Sequence, residues 1–336
     1  MDAILNINKP AGMSSFRCVS IVRQIVKEKK AGHGGTLDPE ATGILPVCIG
    51  KATRCADFFL TYKKRYRAEI FFGAATDTCD IWGEAVQFSS GVCPELFPFA
   101  HAIPVSPACT YDSGDLSAVT SERLQKAIPK QVGRILQVPP MYSAIKMDGI
   151  PAYKRARRGE NVEMKARYAD IYEIVLLHFV HHGAGGACAV IEIECGRGTY
   201  IRSLCRDLGA ALGCPACMSH LERIRYGPLA IAEAVTLETL EHEIPRRRES
   251  GDTESPIWMY SIDALLRDLP YTELTPAEAA RYRNGQPVIL PQSAFADLSA
   301  EAEPCVRLRE KGAVLAVAKI RPEPEGYRLV PFKYFG

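Results

Sequence analysis

Residues 31–47 read Ala-Gly-His-Gly-Gly-Thr-Leu-Asp-Pro-Glu-Ala-Thr-Gly-Ile-Leu-Pro-Val and set one carboxylate, Asp38, among Gly32, Gly34, Gly35, Pro39 and Gly43. Glycine lets the main chain approach a ligand closely, and Pro39 pushes Asp38 toward an extended conformation. The stretch therefore predicts a shaped loop that holds Asp38 in one orientation, a common setting for a catalytic group. The plainest alternative is a turn in which Asp38 bonds its own backbone. A Walker phosphate loop fails, because the spacing from Gly43 to Gly50-Lys51 is too long and Ala52 stands where Ser or Thr must bind magnesium. An aspartyl-phosphate nucleophile fits the alternation of Asp38, Glu40 and Thr42, although Gly-His-Gly-Gly makes a poor leading strand.

Other reactive residues give weaker signals. Asp77 and Asp80 lack calcium-loop spacing, so a polar turn is expected. Twelve cysteines are spread along the chain, and Cys214-Pro-Ala-Cys217 is the one C-x-x-C. A single such pair cannot make a four-thiolate zinc site, so buried thiols are expected rather than a redox or metal centre. Net charge is only +2, and basic residues cluster at Lys27, Lys29 and Lys30, at Lys63, Lys64, Arg65 and Arg67, and at Arg155, Arg157 and Arg158. Each cluster alone reads as a solvated face, whereas several around one loop would form a phosphate-binding surface.

The elements that must position Asp38 can be read from the pattern. Residues 3–7 read as a strand, and Ser14 or Ser15 caps a helix over 15–30 whose inward face carries Phe16, Val19, Val22, Ile25 and Val26. Ile44–Ile49 is a buried run, followed by a helical stretch near 52–61. Tyr66, Ala68, Ile70 and Phe72 alternate as in a half-buried strand, which makes Tyr66 most simply a core aromatic. Residues 88–120, rich in Ser, Pro and Gly, read as a loop insertion. A helix near 121–128 precedes the Pro-rich segment 137–153. Two apolar runs, 171–180 and 187–195, flank a glycine turn and predict a hairpin, and Thr199 caps a helix carrying Ile201, Leu204, Leu208 and Leu212 inward. Residues 240–256 read as a charged linker, and short strands are expected at 288–290, 305–308 and 314–320. Irregular alternation of strands and helices predicts an α+β fold with a mixed, mainly antiparallel sheet. At 47% hydrophobic and 24% charged, with no apolar run of membrane length and no signal pattern, the chain is expected in the cytosol.

Several of these stretches resemble the motifs of the TruB-type tRNA pseudouridine-55 synthases. The 32–47 loop resembles their catalytic motif, Asn8-Lys9-Pro10-Ala11-Gly12 their opening turn, and Lys64-Arg65-Tyr66 their Lys-x-Tyr motif. The 73–83 turn, Gln137-Val-Pro-Pro-Met-Tyr-Ser-Ala-Ile-Lys146 and Gly198-Thr-Tyr-Ile-Arg202 match further segments, the Pro-rich one belonging to a flap that closes on RNA. Glu222 and Leu229 depart from the Leu-Arg-Arg motif near Leu221, and Glu40 replaces a usually apolar residue and is expected to face solvent.

The resemblance implies a pseudouridine-synthase fold over residues 1–245, with 88–120 inserted, a linker at 246–257, and a small β-rich, PUA-like RNA-binding domain at 258–336. It implies isomerisation of the T-loop uridine of tRNA, with Asp38 as nucleophile at C6 of the base or C1′ of the sugar. On that reading Arg202 pairs with Asp38 and keeps it ionised, and Tyr66 contacts the target base and takes part in proton transfer. His33 fills the space of a flipped-out base, unless it is a turn histidine. Tyr200 and Leu221 line the pocket, unless they are core residues. No cofactor or metal is implied. The expected partner is the T-arm of tRNA, bound by a monomer with no protein partner and no membrane. A non-catalytic RNA-binding protein of the same fold and an aspartyl-phosphate phosphotransferase are the competing readings.

Overall fold

A computed structural model describes residues 1–336 except 100, 102, 113–115, 148, 161, 162, 253 and 292–303. Asp148 of the Pro-rich segment and part of 88–120 therefore lie outside the described residues. The chain forms two compact units: one of residues 1–39, 45–60 and 232–336, the other of residues 40–44 and 61–231. The C-terminal residues thus group with the N-terminal ones. The fold is α+β with mainly antiparallel strand pairing, as the pattern predicts.

In the first unit the strand Ala3–Lys9 leads to the helix Ser15–Val26. Ser14 caps that helix by accepting from Arg17 N–H, and Lys27 ends it in the left-handed conformation, four residues earlier than the expected helix ends. Leu5, Ile7, Val19, Val22, Val47, Leu240, Ile244 and Trp258 share one core. Leu240 and Ile244 come from the helix Leu237–Ser250, which occupies most of the segment expected as a linker. Their four-residue spacing buries one stripe of an otherwise charged helix, and Arg248 donates to the Val26 carbonyl at 2.6 Å. The helical stretch expected near 52–61 is two 3-10 turns, Gly50–Cys55 and Phe58–Thr61.

The C-terminal residues form a five-stranded sheet in which Tyr271–Glu273 pairs parallel with Cys305–Glu310 and the other pairings are antiparallel. The expected strands are present, and Gly326–Tyr334 adds one that the pattern does not predict. This sheet has its own core of Leu274, Tyr282, Val306, Leu308, Leu315 and Ile320. Phe332 stacks edge-on against Phe58 at 5.9 Å, and Lys333 pairs with Asp57 at 2.6 Å.

In the second unit the strand Lys64–Phe72 runs between Ala187–Cys195 and Ala216–Tyr226, antiparallel to both. Arg167–His181 and Ala187–Cys195 form the expected hairpin. Thr42 and Gly43 lie parallel to Glu222 and Arg223. The residue at 43 has to be glycine-like: its φ is +95°, and a Cβ would stand 2.4 Å from the Arg223 carbonyl oxygen. Where a loop insertion is expected, Val105–Asp112 joins Ala85–Ser89 in parallel and completes a three-stranded sheet with Ala74–Thr76.

Candidate active site

The first unit carries Asp38 and His33. The loop around Asp38 is fixed at both neighbours. Leu37 is buried, its N–H donates to Ser15 Oγ at 2.9 Å, and Ser15 Oγ donates to the Leu37 carbonyl at 3.1 Å. On the other side, the Pro39 carbonyl accepts from Met13 N–H at 3.2 Å and from Lys9 Nζ at 2.8 Å. Lys9 is fully buried and also donates to the carbonyls of Pro10 and Met13, at 2.8 and 2.7 Å. Three carbonyls thus meet the three donors of one ammonium, and the opening turn is tied to the residue after Asp38. Upstream, Gly34 N–H bonds the Pro46 carbonyl at 3.0 Å, and a Cβ on Gly34 would lie 2.4 Å from the Phe59 ring. His33 closes the short strand Ala31–His33, opposite Val47, and is half-buried. Asp38, also half-buried, is carried on a loop anchored on either side, as its glycine and proline neighbours predict.

The second unit carries Tyr66, Arg202, Tyr200 and Leu221. Tyr66 is buried on the central strand, directly opposite Arg223. Arg223 Nη1 donates to the Tyr66 hydroxyl at 3.4 Å and Nε to the Ile44 carbonyl at 2.7 Å, and its guanidinium stacks over Tyr226 at 4.6 Å. Sequence reasoning missed Arg223, which is 1% exposed. One arginine on an alternating strand gives no signal of burial, and Tyr66, which strand pairing sets against it, is far away in the chain. Lys64 is buried beside it, donating to the Tyr62 carbonyl at 3.0 Å. Burial pushes the Lys64 ammonium down to about 8, Arg223 and Arg197 push the same way, and Cys195 opposes them. Leu221 is buried on the neighbouring strand opposite Ala68, and its carbonyl accepts from Thr42 Oγ1 at 3.4 Å. Glu40 is half-buried, where solvent exposure is expected.

Arg202 lies on the first turn of the helix Ile201–Leu212 and is buried. Its Nη1 donates to the Thr78 carbonyl at 2.9 Å and stands 3.5 Å from Asp80 Oδ2, while Nη2 donates to the Tyr142 carbonyl at 3.0 Å. The polar 73–83 turn and the Pro-rich segment thus converge on this guanidinium. Asp80 is held in turn by Thr78 Oγ1 at 2.7 Å and Trp82 N–H at 3.1 Å. The expected Thr199 cap gives way to Tyr200, which sits at the N-cap position without a side-chain cap; Thr199 Oγ1 donates to the Gly196 carbonyl instead. Gln137 serves both polar groups of the Tyr200 backbone, accepting from its N–H at 3.1 Å and donating to its carbonyl at 3.4 Å.

Cys214 and Cys217 are buried free thiols, and burial pushes Cys217 far above the usual thiol range, which disfavours a reactive thiolate. Among the described residues no His, Cys, Asp and Glu group is arranged to hold a metal ion. No helix among them is long and apolar enough to cross a membrane.

Comparison with known proteins gives these features a family. Residues 23–94 and 108–201 match the family model "TruB family pseudouridylate synthase (N terminal domain)", and residues 202–273 match "tRNA pseudouridylate synthase B C-terminal domain". The interruption at 95–107 falls inside the stretch read as an insertion. A Listeria innocua protein named tRNA pseudouridine synthase B is 36% identical over 326 residues, covering 97% of this chain and 95% of that protein. The Pseudomonas aeruginosa protein of the same name is 37% identical, covering 87% and 85%. Two solved structures share the fold: an H/ACA ribonucleoprotein bound to a substrate RNA containing 2'-deoxyuridine and a Cbf5-Nop10-Gar1 complex, with TM-scores of 0.69 and 0.68 at 21% and 23% identity. Each likeness covers 99% of this chain and 85% of the matched chain. With relatives aligned along nearly its full length and both family models matched in order, the chain belongs to the TruB family of pseudouridylate synthases.

Proposed function

We propose that this protein isomerises the T-loop uridine of tRNA at position 55 to pseudouridine, with Asp38 as the nucleophile. The bond from N1 of uracil to C1′ of the ribose breaks, a bond from C5 to C1′ forms, and the proton lost from C5 is balanced by one gained at N1. The product is an isomer of the substrate, so no electrons or groups are supplied from outside. A carboxylate can attack C6 of the base or C1′ of the sugar. Either attack needs an ionised Asp38 and a nucleotide turned out of its stack. We assign Arg202 to keeping the nucleophile charged and Tyr66 to contact with the base and proton transfer. His33, Tyr200 and Leu221 contact the substrate, and residues 258–336 form an RNA-binding appendage to the catalytic residues 1–245. The enzyme works as a cytoplasmic monomer on the T-arm.

The observation that carries this reading is the Asp38 loop, pinned at Leu37 and Pro39 by Ser15, Met13 and Lys9, in a chain of this family. The test is incubation with an unmodified tRNA transcript and position-by-position mapping of pseudouridine. Modification at the T-loop uridine, lost when that nucleotide is replaced by cytidine, is expected. Modification at other positions alone would redirect the assignment to a different RNA site.

A further inference from the structure

Of the three basic groups along the chain, two have carboxylate partners. Lys63 and Arg65 pair with Glu194 at 3.1 Å each, and Arg67 pairs with Glu192 at 2.7 Å, while Lys64 is buried. Arg155 and Arg158 share Glu160, and Arg157 lies over Tyr153 at 5.7 Å. The first group differs. Lys27, Lys29 and Lys30 join Lys51 and Arg54 around one open cavity of about 440 Å³. The two carboxylates in its wall are engaged otherwise: Glu28 holds the Met1 ammonium, and Asp2 Oδ1 accepts from the Lys51 backbone N–H at 2.7 Å. Among the described residues, none of the four lysines has a carboxylate partner. The lining side chains carry three net positive charges, more than the +2 of the entire chain.

The backbone of this wall is set. Lys27 is the left-handed C-cap of its helix, and Gly50 N–H bonds the Lys30 carbonyl at 2.9 Å. At Gly50, φ is +60° and a Cβ would stand 2.2 Å from Asp2 Oδ1. The strand Ala31–His33 leaves the cavity directly, and at ~3.3 Å per residue it places His33 about 10 Å from Lys30.

We propose that this cavity is a second contact for the substrate RNA, taking backbone phosphates a short distance along the strand from the reacting nucleotide. Flexible ammoniums spread over an open wall act as separate point charges, which suits an extended polyanion better than one compact phosphate needing bidentate donors. The proposal rests on the RNA substrate argued above.

The test compares wild type with the triple variant Lys29→Gln, Lys30→Gln, Lys51→Gln, after equal Tm values have shown both folded. Binding of an unmodified tRNA transcript is measured over a salt series. Each phosphate contact contributes about 0.7–0.9 to the slope of log Kd against log salt, so the slope should fall by about 2. Kd and KM should rise at least ~10-fold at ~0.1 M salt, kcat at saturating RNA should hold, and Lys→Arg at the three positions should restore the slope. An unchanged slope and Kd would overturn the proposal. So would inorganic phosphate binding to wild type but not to the variant while the RNA slope stays the same, because the cavity would then serve a free anion. Wild type that binds the transcript without forming pseudouridine would instead count against the proposed reaction and leave the slope comparison intact.

Discussion

Lys9 illustrates how a buried charge can shape a site without touching substrate. Its ammonium meets the carbonyls of Pro10, Met13 and Pro39. Lys9→Met would fill the volume and leave three acceptors without that donor, at about 1–3 kcal/mol for each one left unsatisfied. We expect a loss of at least ~3 kcal/mol by denaturant unfolding, and a fall in kcat larger than any change in RNA affinity, because the Asp38 loop loosens. Lys64 gives a pH signature. Its folded pKa of about 8 lies below the ordinary 10.5. Between those values the unfolded chain binds a proton that the folded chain does not, so stability rises with pH in that window. Replacing Lys64 with Met removes this dependence. The Tm of the variant relative to wild type should therefore be highest below pH 8 and fall as pH climbs toward 10.5.

At the scale of elements, Arg202 organises three segments. The 73–83 turn gives it Asp80 and the Thr78 carbonyl, the Pro-rich segment gives it the Tyr142 carbonyl, and its own helix start is fixed by Gln137. A lysine cannot bridge these acceptors with a planar fork. Arg202→Lys should lower kcat by about 100-fold, with RNA affinity changed little, as single-turnover rates and filter-binding assays would show. An effect on affinity alone would count against a role in the chemistry. How far the sequence reveals such elements depends on the kind of signal. The Asp38 loop is legible because its glycines disfavour helix and strand and Pro39 restricts the backbone of Asp38, and the 187–195 hairpin because two apolar runs flank a glycine turn. The helix Leu237–Ser250 is not, because acids, arginines and Pro245 obscure the spacing of Leu240 and Ile244. Arg223 is hidden for a different reason: Tyr66, whose hydroxyl it meets, is brought beside it only by strand pairing, and Tyr226 three residues on along the same strand gives no sign of burial by itself.

At the scale of the whole molecule, chain order and spatial order differ. Residues 232–336 pack with the first 39, so the N-terminal strand and helix share a core with Trp258. A change in composition near residue 245 says nothing about which distant residues a segment packs against. Trp258→Ala should therefore weaken the unit that carries Asp38, although it lies 220 residues away in the chain. Large-to-small changes of this kind cost about 3–5 kcal/mol, and the Tm of the full-length protein should fall accordingly. The opposite result, a loss confined to the C-terminal sheet with Asp38 chemistry untouched near the wild-type Tm, would argue that the shared core contributes little.

We propose Asp38 as the group that forms the covalent bond on which the isomerisation depends. Asp38→Asn keeps the size of the side chain and removes its charge. Under single-turnover conditions with an unmodified tRNA transcript, this variant should bind RNA as wild type does and form no pseudouridine above background. Pseudouridine formed at the wild-type rate would contradict this role.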